Sequence, residues 1–499
     1  MHTARPTDPL LEVLPRWKPF RVLVVGDFML DQLIQGVAER LSPDAPVPIL
    51  HVKSTENRPG GAANVCLDLI ALHAHVFALG VVGADPNADI TRAELARQGV
   101  ETSGLLADPS RPTTVKQNLI GLAQARHPQK MFRVDYESRA PLAPAVVASL
   151  LDVLHRNLDS VDAVCIEDYD KGVCTPELCQ GVIAASRRAG KPVFVDPARG
   201  VDYSKYRGAT AITPNRTEAE DALGQRTDEA GPGGRNIALA SSLRERLDLD
   251  ACVLTLDRHG ALLVTRDGQA TPLPTVARQV YDVTGAGDMF LAALAAARAN
   301  GCAWPDSVRF ANAAAGLEVE VFGVQPIPLE QIHHSLLLLA APTVGKLRTL
   351  DQAKLELAAL RKQGKKIVFT NGCFDVLHSG HVTLLEKAAA MGDFLVVGLN
   401  DDASVKRLKG PARPVNSQDE RARVLGALQS VNAVMLFPED TPLNLINELK
   451  PDTLVKGGDY TVDRVVGRTE VESWGGRVAL VDLVAGKSTT ATLGRLQSP

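Results

Sequence analysis

The 499-residue chain lacks the marks of a disulfide-stapled, membrane-spanning or nucleic-acid-binding protein. Its seven cysteines are scattered, odd in number and form no C-x-x-C pair, which argues against a disulfide framework and a structural zinc site. The most apolar short run, Leu336–Pro342, is far below the ~20 residues that a spanning helix needs. The formal net charge is −4, so no basic field attracts nucleic acid. The N-terminal stretch lacks a signal-peptide apolar core, and we expect a cytoplasmic protein in a reducing compartment.

The remaining composition is that of an ordinary globular protein. Apolar residues make up 45% and charged residues 22% of the chain. At ~100–200 residues per domain, the length predicts two to four domains with sizeable buried cores. No internal repeat or low-complexity tract interrupts the sequence, so the domains have to be located from the strands and turns.

Two β-branched runs, each ending in a turn of Gly, Asn or Asp, are typical of buried parallel strands that open α/β domains. They are Arg21–Asp27 and Lys365–Gly372. Four further strand candidates lie between Ala-rich helical stretches: Ala163–Glu167, Pro192–Asp196, Ala209–Thr213 and Cys252–Leu256. The alternation predicts an α/β fold whose parallel sheet carries helices on both faces. Ligands of such sheets bind at the carboxyl ends of the strands.

Proline and glycine mark a lid and a domain boundary. The proline-interrupted stretch Pro43–Val52 suits an edge strand or a small lid rather than the central sheet. The region Pro326–Leu350 surrounds a short apolar helix with Pro and Gly, and a helix over Asp351–Gln363 leads into the second opening strand. We therefore expect a first domain over residues 1–330, a linker over 331–350 and a second domain over 351–499.

The segment Asp282–Asp288 places small residues between two carboxylates, directly before an apolar, Ala-rich helix. This order puts the amides of Gly285, Ala286 and Gly287 at a helix N-terminus, where they can hold a phosphate as charge builds during transfer. Asp288, in the first turn, can accept a proton from a hydroxyl that attacks the γ-phosphate of ATP. The alternative is a glycine turn with a capping Asp, which the two flanking carboxylates disfavour.

A second glycine-rich turn, which contains Gly60, Gly61 and Asn64, precedes another helix. Small residues allow close approach of a ligand, and the Asn64 amide can bind hydroxyls, although a packed turn explains the pattern equally well. Asp27 and Asp31, near the end of the first strand, can accept hydrogen bonds from vicinal sugar hydroxyls. For Asp31, a solvated charge on a loop is an equally good explanation.

The segment Asn215, Arg216, Thr217 and Glu218 follows a strand and opens a helix. Asn215 and Glu218 are three residues apart and share a face, so the pair can organise Mg²⁺ and its waters near ATP phosphates. The same pair also makes a good helix N-terminus.

In order and spacing, these three first-half motifs resemble those of the ribokinase-like (PfkB) carbohydrate kinases, over about residues 15–330. The resemblance implies a doubly wound α/β domain with a small β lid, ATP with Mg²⁺ as phosphate donor, and Asp288 as base. The family usually has Thr where this chain has Val283, a position expected to support the turn.

In the second half, the loop after the opening strand runs from Asn371 to His381 and contains H-x-G-H. His378 and His381 at a helix start can donate hydrogen bonds to nucleotide phosphates and stabilise the transition state without a covalent intermediate. Metal binding is the rival, but helical zinc ligands are usually four residues apart and no third ligand is evident, so no metal ligand is assigned. Thr370, Gly372 and Phe374 of the same segment are counted as nucleotide-binding.

Two other segments can bind phosphate in this half. Lys406–Arg413, with Lys409, is basic and loop-like, and a solvated charge run is its alternative. Ser488, Thr489 and Thr490 present hydroxyls and amides before an expected helix.

The second half, over about residues 350–499, resembles the cytidylyltransferase-like nucleotidyltransferases. The late Ser/Thr motif of that family often carries a basic residue soon after it, whereas here Lys487 precedes Ser488 and Arg495 is the nearest downstream. The whole chain resembles the bifunctional heptose 7-phosphate kinase/heptose 1-phosphate adenylyltransferases, through segments in both halves such as Arg40–Pro48, Arg58–Val65 and Leu454–Tyr460.

This resemblance implies two reactions that serve lipopolysaccharide core synthesis. ATP would phosphorylate D-glycero-β-D-manno-heptose 7-phosphate at its anomeric hydroxyl, and after removal of the 7-phosphate a second ATP would give ADP-heptose and pyrophosphate. Lys116, Arg133 and Lys171 are hypothetical contacts for the 7-phosphate or ATP. The expected partners are sugar phosphates and ATP, with no nucleic acid or membrane, and a homodimer through the kinase domain.

The residues alone leave two other functions open. One is a fructokinase-like domain fused to a CTP-dependent polyol-phosphate cytidylyltransferase, which CTP dependence would favour. The other is a non-catalytic nucleotide-binding regulator, against which the presence of Asp288, His378 and His381 argues.

Overall fold

The computed structural model describes residues 8–122, 129–227, 229–275, 282–320, 323–340, 346–458 and 461–481. The chain forms two compact units. The first unit is Arg16–Ile332, and the second comprises the chain from His333 together with the segment before Arg16, which contains helix α1 (Pro9–Val13). The expected linker over residues 331–350 holds most of a regular helix, Leu329–Ala340, and the division between the units falls within it.

The first unit contains thirteen strands in its described part. They are β1 (Phe20–Gly26), β2 (Phe28–Leu41), β3 (Pro48–Gly61), β4 (Ala74–Val82), β5 (Glu101–Ala107), β6 (Thr114–Gly121), β7 (Gln129–Tyr136), β8 (Ala163–Glu167), β9 (Val193–Asp196), β10 (Ala211–Ile212), β11 (Ala251–Thr255), β12 (Ala261–Thr265) and β13 (Ala270–Leu273). The helices of this part of the chain are α2 (Ala62–Ala71), α3 (Pro86–Arg97), α4 (Pro144–Asn157), α5 (Pro176–Arg188), α6 (Arg216–Leu223), α7 (Gly234–Arg246), α8 (Ala286–Ala299), α9 (Trp304–Glu318) and α10 (Leu329–Ala340).

The main sheet of the first unit has nine strands in the order β13-β12-β11-β10-β9-β8-β1-β4-β5. Strands β5 to β11 in this order are parallel, whereas β12 and β13 return as antiparallel edge strands. Helices α4, α5 and α7 share a core with one face of the sheet, and α2 and α8 pack against the same strands outside that core. The expected doubly wound α/β sheet is confirmed, with strand ends shifted by one or two residues.

A separate four-stranded sheet, in the order β3-β2-β6-β7, forms the lid. Strand β3 lies at its edge, as the prolines of Pro43–Val52 predicted, and pairs with β2 along almost its whole length. β2 follows β1 after a single residue, Asp27, so the lid joins the main sheet directly at the carboxyl end of β1.

The described residues of the second unit form a parallel sheet in the order β16-β15-β14-β17-β18. Its strands are β14 (Ile367–Gly372), β15 (Phe394–Asn400), β16 (Ala433–Phe437), β17 (Thr453–Gly457) and β18 (Arg477–Val481). Its further helices are α11 (Leu350–Lys362), α12 (Ser379–Ala389), α13 (Asp402–Lys409), α14 (Gln418–Gly426), α15 (Leu443–Leu449) and α16 (Arg468–Ser473). Apolar clusters cover both faces of the sheet, as the buried opening strand predicted.

Two local expectations were wrong. The basic segment Lys406–Arg413 is not all loop, because residues through Lys409 form the last turns of α13. The glycine-rich turn expected at residues 60 and 61 is instead the end of β3, although the expected helix does follow, with α2 beginning at Ala62. In the described part of the chain, no helix has the length and apolar character needed to cross a membrane.

Candidate active sites

Asp288 lies where the sequence placed it, in the first turn of α8. Gly285 caps this helix with a backbone φ of 91°, a left-handed conformation that glycine adopts without strain. Ala286 and Gly287 are the first two helical residues, so their amides and that of Asp288 have no partner within the helix. The amides and a carboxylate therefore meet at one point, as phosphoryl transfer to a hydroxyl requires.

Both carboxylate oxygens of Asp288 accept hydrogen bonds from neighbouring side chains. The Tyr169 hydroxyl donates to Oδ1 at 2.7 Å, and the Asn64 amide donates to Oδ2 at 2.8 Å. Burial raises the pKa of Asp288 to about 6, against the lowering effect of these two bonds and of Lys116. The carboxylate is therefore ionised at neutral pH but basic enough to take a proton. Asn64 thus faces Asp288, where the sequence suggested a sugar hydroxyl.

Two further carboxyl groups lie behind this point. Asn64 also donates to Asp68 at 3.4 Å, and a Cβ on Gly285 would lie 2.6 Å from Oε1 of Glu318. Asp68 Oδ1 and both Glu318 oxygens have no hydrogen-bond partner among the described residues. Burial, with the nearby Asp288 and Asp282 carboxylates, raises the pKa of Glu318 to about 8, so this group carries a proton at neutral pH. A neutral Glu318 does not compete with a phosphate for the helix N-terminus.

Glu167 and Asp196 form an acidic group with Asp288 that sequence reasoning did not single out. One carboxylate oxygen of each lies within 4.8 Å of the others, a grouping that could hold a metal ion. Glu167 and Asp196 end the paired parallel strands β8 and β9, and Glu167 Oε2 is buried without a partner among the described residues. The signal was present, because both candidate strands ended in an acidic residue at the ligand-binding edge.

The substrate-binding candidates near β1 occupy two environments. Asp27 is buried and accepts backbone N–H bonds from Tyr169, Lys171 and Val173, so it holds the loop that carries Tyr169. Its pKa is raised to about 6, chiefly by burial and next by Asp168.

Asp31 is not a solvated loop charge, because it lies half-buried within β2 of the lid, opposite Arg58 and Lys116. Burial raises its pKa against Lys116 and other cations. A Cβ at Gly60 would lie 2.4 Å from Asp31 Oδ2, so that carboxylate would have to move, and a Cβ at Gly61 would lie 2.6 Å from the Asp27 carbonyl.

The segment from Asn215 to Glu218 forms a complete capping box at the start of α6. The Asn215 side chain accepts from the Glu218 amide at 3.0 Å, and Glu218 accepts from the Asn215 amide at 2.8 Å. Arg216 donates to Glu220 and to the Thr227 carbonyl, and Thr217 is half-buried in the first turn. Glu218 nevertheless lies near enough to Asp196 to raise the pKa of that carboxyl. The helix-start interpretation is thus present in the structure, and a role toward Mg²⁺ stays a prediction.

The three basic residues proposed for the sugar phosphate differ in their surroundings. Lys116 lies over the Tyr169 ring at 5.1 Å and is the one that faces the Asp288 site. Lys171 pairs with Glu137 at 2.5 Å, and Arg133 pairs with Asp135 on the exposed part of the lid. Val283, expected to support the Asp282 turn, is 69% exposed and does not pack there.

The second unit brings its two histidines into direct contact at the start of α12. His378 is the N-cap residue, and the His378 and His381 rings stack with centroids 3.8 Å apart. Burial, and then His378, lowers the pKa of His381 to about 4, so this imidazole is neutral at pH 7. The ring of Phe374 lies 5.1 Å from His381 and fixes one side of the pair. In the described part of the chain, neither histidine belongs to a group of three or more residues that could hold a metal.

The other nucleotide-binding candidates of this half surround the same loop. Thr370 is fully buried on β14, and its Oγ1 has no partner among the described residues. Phe374 has a backbone φ of 42° and covers Gly372, where a Cβ would lie 3.1 Å from the ring. Lys409, the last residue of α13, is exposed. Burial raises the pKa of the Cys373 thiol, and the nearby charge of Lys409 opposes that rise. Ser488, Thr489 and Thr490 lie outside the described residues.

Arg421 is a site-supporting residue that the sequence did not reveal. Its buried guanidinium donates to the carbonyls of Cys373 at 2.6 Å, Asn400 at 2.9 Å and Asn416 at 3.1 Å, and to the Asp402 carboxylate at 2.7 Å. Cys373 follows β14, Asn400 ends β15, Asp402 begins α13, and Asn416 lies between α13 and α14. The cation therefore holds the histidine loop against the neighbouring strand end.

The folds and the two sites define an enzyme that joins a carbohydrate kinase to a nucleotidyltransferase. Residues 20–332 match the pfkB family carbohydrate kinases, and residues 369–487 match the cytidylyltransferase-like family. The first part resembles phosphofructokinase-2 from Escherichia coli, with a TM-score of 0.52 at 17% identity, covering 64% of this chain and 100% of that one. It also resembles Arabidopsis thaliana ribokinase, with a TM-score of 0.50 at 20% identity, covering 64% of this chain and 99% of that one.

Relatives that span both halves carry the name bifunctional protein HldE. The protein from Geobacter sulfurreducens is 46% identical over 476 residues, with 95% of each chain covered. That from Mesorhizobium japonicum is 43% identical over 502 residues, covering 100% of this chain and 99% of the relative. The chain belongs to the bifunctional HldE family, and the expected fusion of a kinase and a nucleotidyltransferase is confirmed.

Proposed function

We propose that the first unit transfers the γ-phosphate of ATP to the anomeric hydroxyl of D-glycero-β-D-manno-heptose 7-phosphate, giving the 1,7-bisphosphate. The observation that supports this reaction is the carboxylate of Asp288 at the N-terminus of α8. Asp288 accepts the hydroxyl proton as the oxygen attacks phosphorus, and the amides from Gly285 to Gly287 bind the phosphoryl oxygens. Tyr169 and Asn64 hold the carboxylate toward the attacking hydroxyl.

Mg²⁺ is the metal that we propose for this site. Glu167 and Asp196 are hard oxygen donors, and the unpartnered Glu167 Oε2 leaves a ligand atom available to the ion or its waters. When bound with ATP, Mg²⁺ neutralises phosphate charge.

The second unit then adenylylates D-glycero-β-D-manno-heptose 1-phosphate, after a separate phosphatase has removed the 7-phosphate. The stacked imidazoles of His378 and His381 donate hydrogen bonds to the ATP phosphates as the sugar phosphate attacks the α-phosphorus. The products are ADP-heptose and pyrophosphate. The expected setting is the cytoplasm, where the sugar nucleotide enters lipopolysaccharide core synthesis.

The test is ³¹P NMR of the purified chain with Mg·ATP and heptose 7-phosphate, and separately with heptose 1-phosphate. We expect the bisphosphate and ADP in the first mixture, and ADP-heptose and pyrophosphate in the second. Turnover of fructose-type sugars, or of CTP in place of ATP, would favour the rival kinase–cytidylyltransferase. A protein that binds ATP without turnover of any of these substrates would be a regulator.

We also propose a homodimer that forms through the lid of the kinase unit. The described lid exposes apolar side chains at the end of β2, in the β2–β3 connection and on the edge strand β7: Leu41 at 64%, Val47 at 53% and Phe132 at 70%. Light scattering of the wild type and of a Leu41→Ser/Phe132→Ser variant tests the dimer. Loss of the dimer in the variant supports pairing through the lid, and a monomeric wild type refutes it.

The domain boundaries proposed from the sequence, residues 1–330 and 351–499, can be tested by limited proteolysis.

A further inference from the structure

A β-bulge in the lid brings two cations to the same face of the sheet. Leu119 and Ile120 are consecutive in β6, but the residues opposite them in β7 are two positions apart, so Met131 is an extra residue. In a regular strand Lys130 and Arg133, which are three positions apart, would face opposite sides of the sheet. The extra residue cancels this alternation, and both side chains therefore lie on one face.

These cations and an amide line a groove on the lid. Asn118 of β6 lies directly opposite Arg133, at a register position where Cβ atoms are about 5 Å apart. Lys130 is opposite the residue two positions beyond Asn118, which is a diagonal neighbour within reach of a long side chain. The groove has a volume of about 380 Å³ and is lined by Asn118, Lys130, Met131, Phe132 and Arg133.

The face that carries the groove is also the face beside the kinase base. Lys116 is two residues before Asn118 on β6 and therefore shares its face. Nζ of Lys116 lies 5.1 Å from the centre of the Tyr169 ring, and the Tyr169 hydroxyl donates to Asp288. Since two residues of a strand span about 7 Å, the groove lies one side-chain repeat farther from Asp288 than Lys116 does.

The charge of Lys130 acts on both sides of the kinase site. Burial raises the pKa of Asp31 on the lid, and Lys130 is among the nearby cations that oppose this rise. Burial acts in the same direction on Asp282, but hydrogen bonds from Thr284, together with the charge of Lys130, lower its pKa. Among the residues that the structure describes, no carboxylate forms an ion pair with Lys130. An anion bound between the lid and the α8 turn therefore meets this ammonium group.

We propose that Lys130, with Arg133 and Asn118, binds the 7-phosphate of the acceptor sugar while its anomeric hydroxyl lies at Asp288. This inference rests on the proposed kinase reaction and adds the residues that select a phosphorylated sugar. The anomeric oxygen and the 7-phosphate are at opposite ends of the heptose, so a phosphate site beyond Lys116 suits the extended substrate.

The two cations offer complementary donors to a phosphate. The ion pair of Arg133 with Asp135, at 2.8 Å, uses one nitrogen of the guanidinium group. Its remaining N–H groups can bind phosphate oxygens in a fixed geometry, whereas the ammonium group of Lys130 acts as a point charge.

Steady-state kinetics of the kinase reaction in Lys130→Met and Lys130→Arg tests the proposal. In Lys130→Met we expect the KM for heptose 7-phosphate to rise about 10-fold, the loss of one charge-assisted hydrogen bond, with the KM for ATP within about twofold. Heptose without the 7-phosphate, measured as a substrate or as a competitive inhibitor, should bind the variant and the wild type within about twofold. Lys130→Arg should recover part of the loss.

Lys53→Met is a matched control on the same sheet. Lys53 is likewise exposed and is the extra residue of a bulge, but it belongs to β3 at the opposite edge of the lid. This variant should keep the KM of the wild type for both substrates. Added salt should reduce the difference between Lys130→Met and the wild type, because ions screen an exposed charge.

A double variant tests the second cation independently. Arg133→Met/Asp135→Asn removes the guanidinium group together with its ion-pair partner, so no unpaired carboxylate remains. The KM for heptose 7-phosphate should rise again, and the KM for ATP should not.

Three results would overturn the proposal. An unchanged acceptor KM in Lys130→Met would remove the contact, and a larger rise in the KM for ATP would assign Lys130 to a phosphate of ATP. Equal losses with the phosphorylated and unphosphorylated sugars would show a role in the shape of the lid alone. Urea unfolding followed by tryptophan fluorescence, and light scattering, check that each variant keeps the fold and the oligomeric state of the wild type.

Failure of the site and failure of the proposed function give different results. If the wild type phosphorylates heptose 7-phosphate and Lys130→Met does so equally well, only the lid site fails. If the wild type binds ATP but phosphorylates neither form of the heptose, the proposed kinase function fails, and with it the site for the 7-phosphate.

Discussion

Because the carboxyl of Glu318 is buried, we predict that the free energy of unfolding depends on pH through this group. Its pKa is raised from 4.5 to about 8 in the folded protein, a shift of about 3.5 units that corresponds to ~5 kcal/mol. Because the folded-state pKa is the higher one, protonation stabilises the fold. This contribution is complete below about pH 4.5, falls progressively above that pH, and is gone once the pH has risen through about 8. From pH 7 to pH 9.5 the wild type should lose about 1.4 kcal/mol of unfolding free energy through this group.

Glu318→Gln removes the ionisation while keeping the shape of the side chain. The variant should lack this loss of about 1.4 kcal/mol. Urea unfolding at the two pH values, followed by tryptophan fluorescence, measures the difference. In a Trp474→Phe background the fluorescence reports only Trp17 and Trp304, which both lie in the first unit.

A matched control is Glu245→Gln on α7, where the carboxyl is 69% exposed. This control should follow the wild type at both pH values. If Glu318→Gln also loses the same free energy as the wild type, Glu318 is not held protonated, and the argument for a neutral carboxyl beside the Gly285 cap is refuted.

Three further substitutions test the two sites. Asp288→Asn removes the base, so kinase turnover should fall by about 10²- to 10⁴-fold while adenylyl transfer persists in ³¹P NMR; retained kinase activity would exclude this base. Tyr169→Phe removes a hydrogen-bond donor to Asp288, so the pKa of Asp288 should rise above about 6. The acid limb of the kinase pH–rate profile should then move to higher pH, and an unmoved limb would contradict the role of Asp288 as base. His381→Asn should lower adenylyl transfer by about 10²- to 10³-fold, with kinase activity as internal control, and an equal loss of both would indicate misfolding instead.

Much of the fold could be read from local patterns. β-branched runs that end in Gly, Asn or Asp located β1 and β14, because strands buried on both faces are continuously apolar. The Asp282–Asp288 and H-x-G-H segments identified two helix N-termini with their charged side chains, since capping and phosphate binding depend on residues adjacent in sequence. The family followed from those segments and the comparisons bear it out.

The contacts between distant residues were decided by the tertiary structure alone. Asn64 and Asp288 are 224 residues apart, and only the packing of α2 and α8 on one sheet brings the amide to the carboxylate. Glu167 and Asp196 become neighbours of Asp288 because β8 and β9 are paired, a relation that no local pattern encodes. The proton on Glu318 likewise depends on burial. A sequence specifies the chemical groups and their local backbone, whereas distance, desolvation and facing direction arise when separate elements pack.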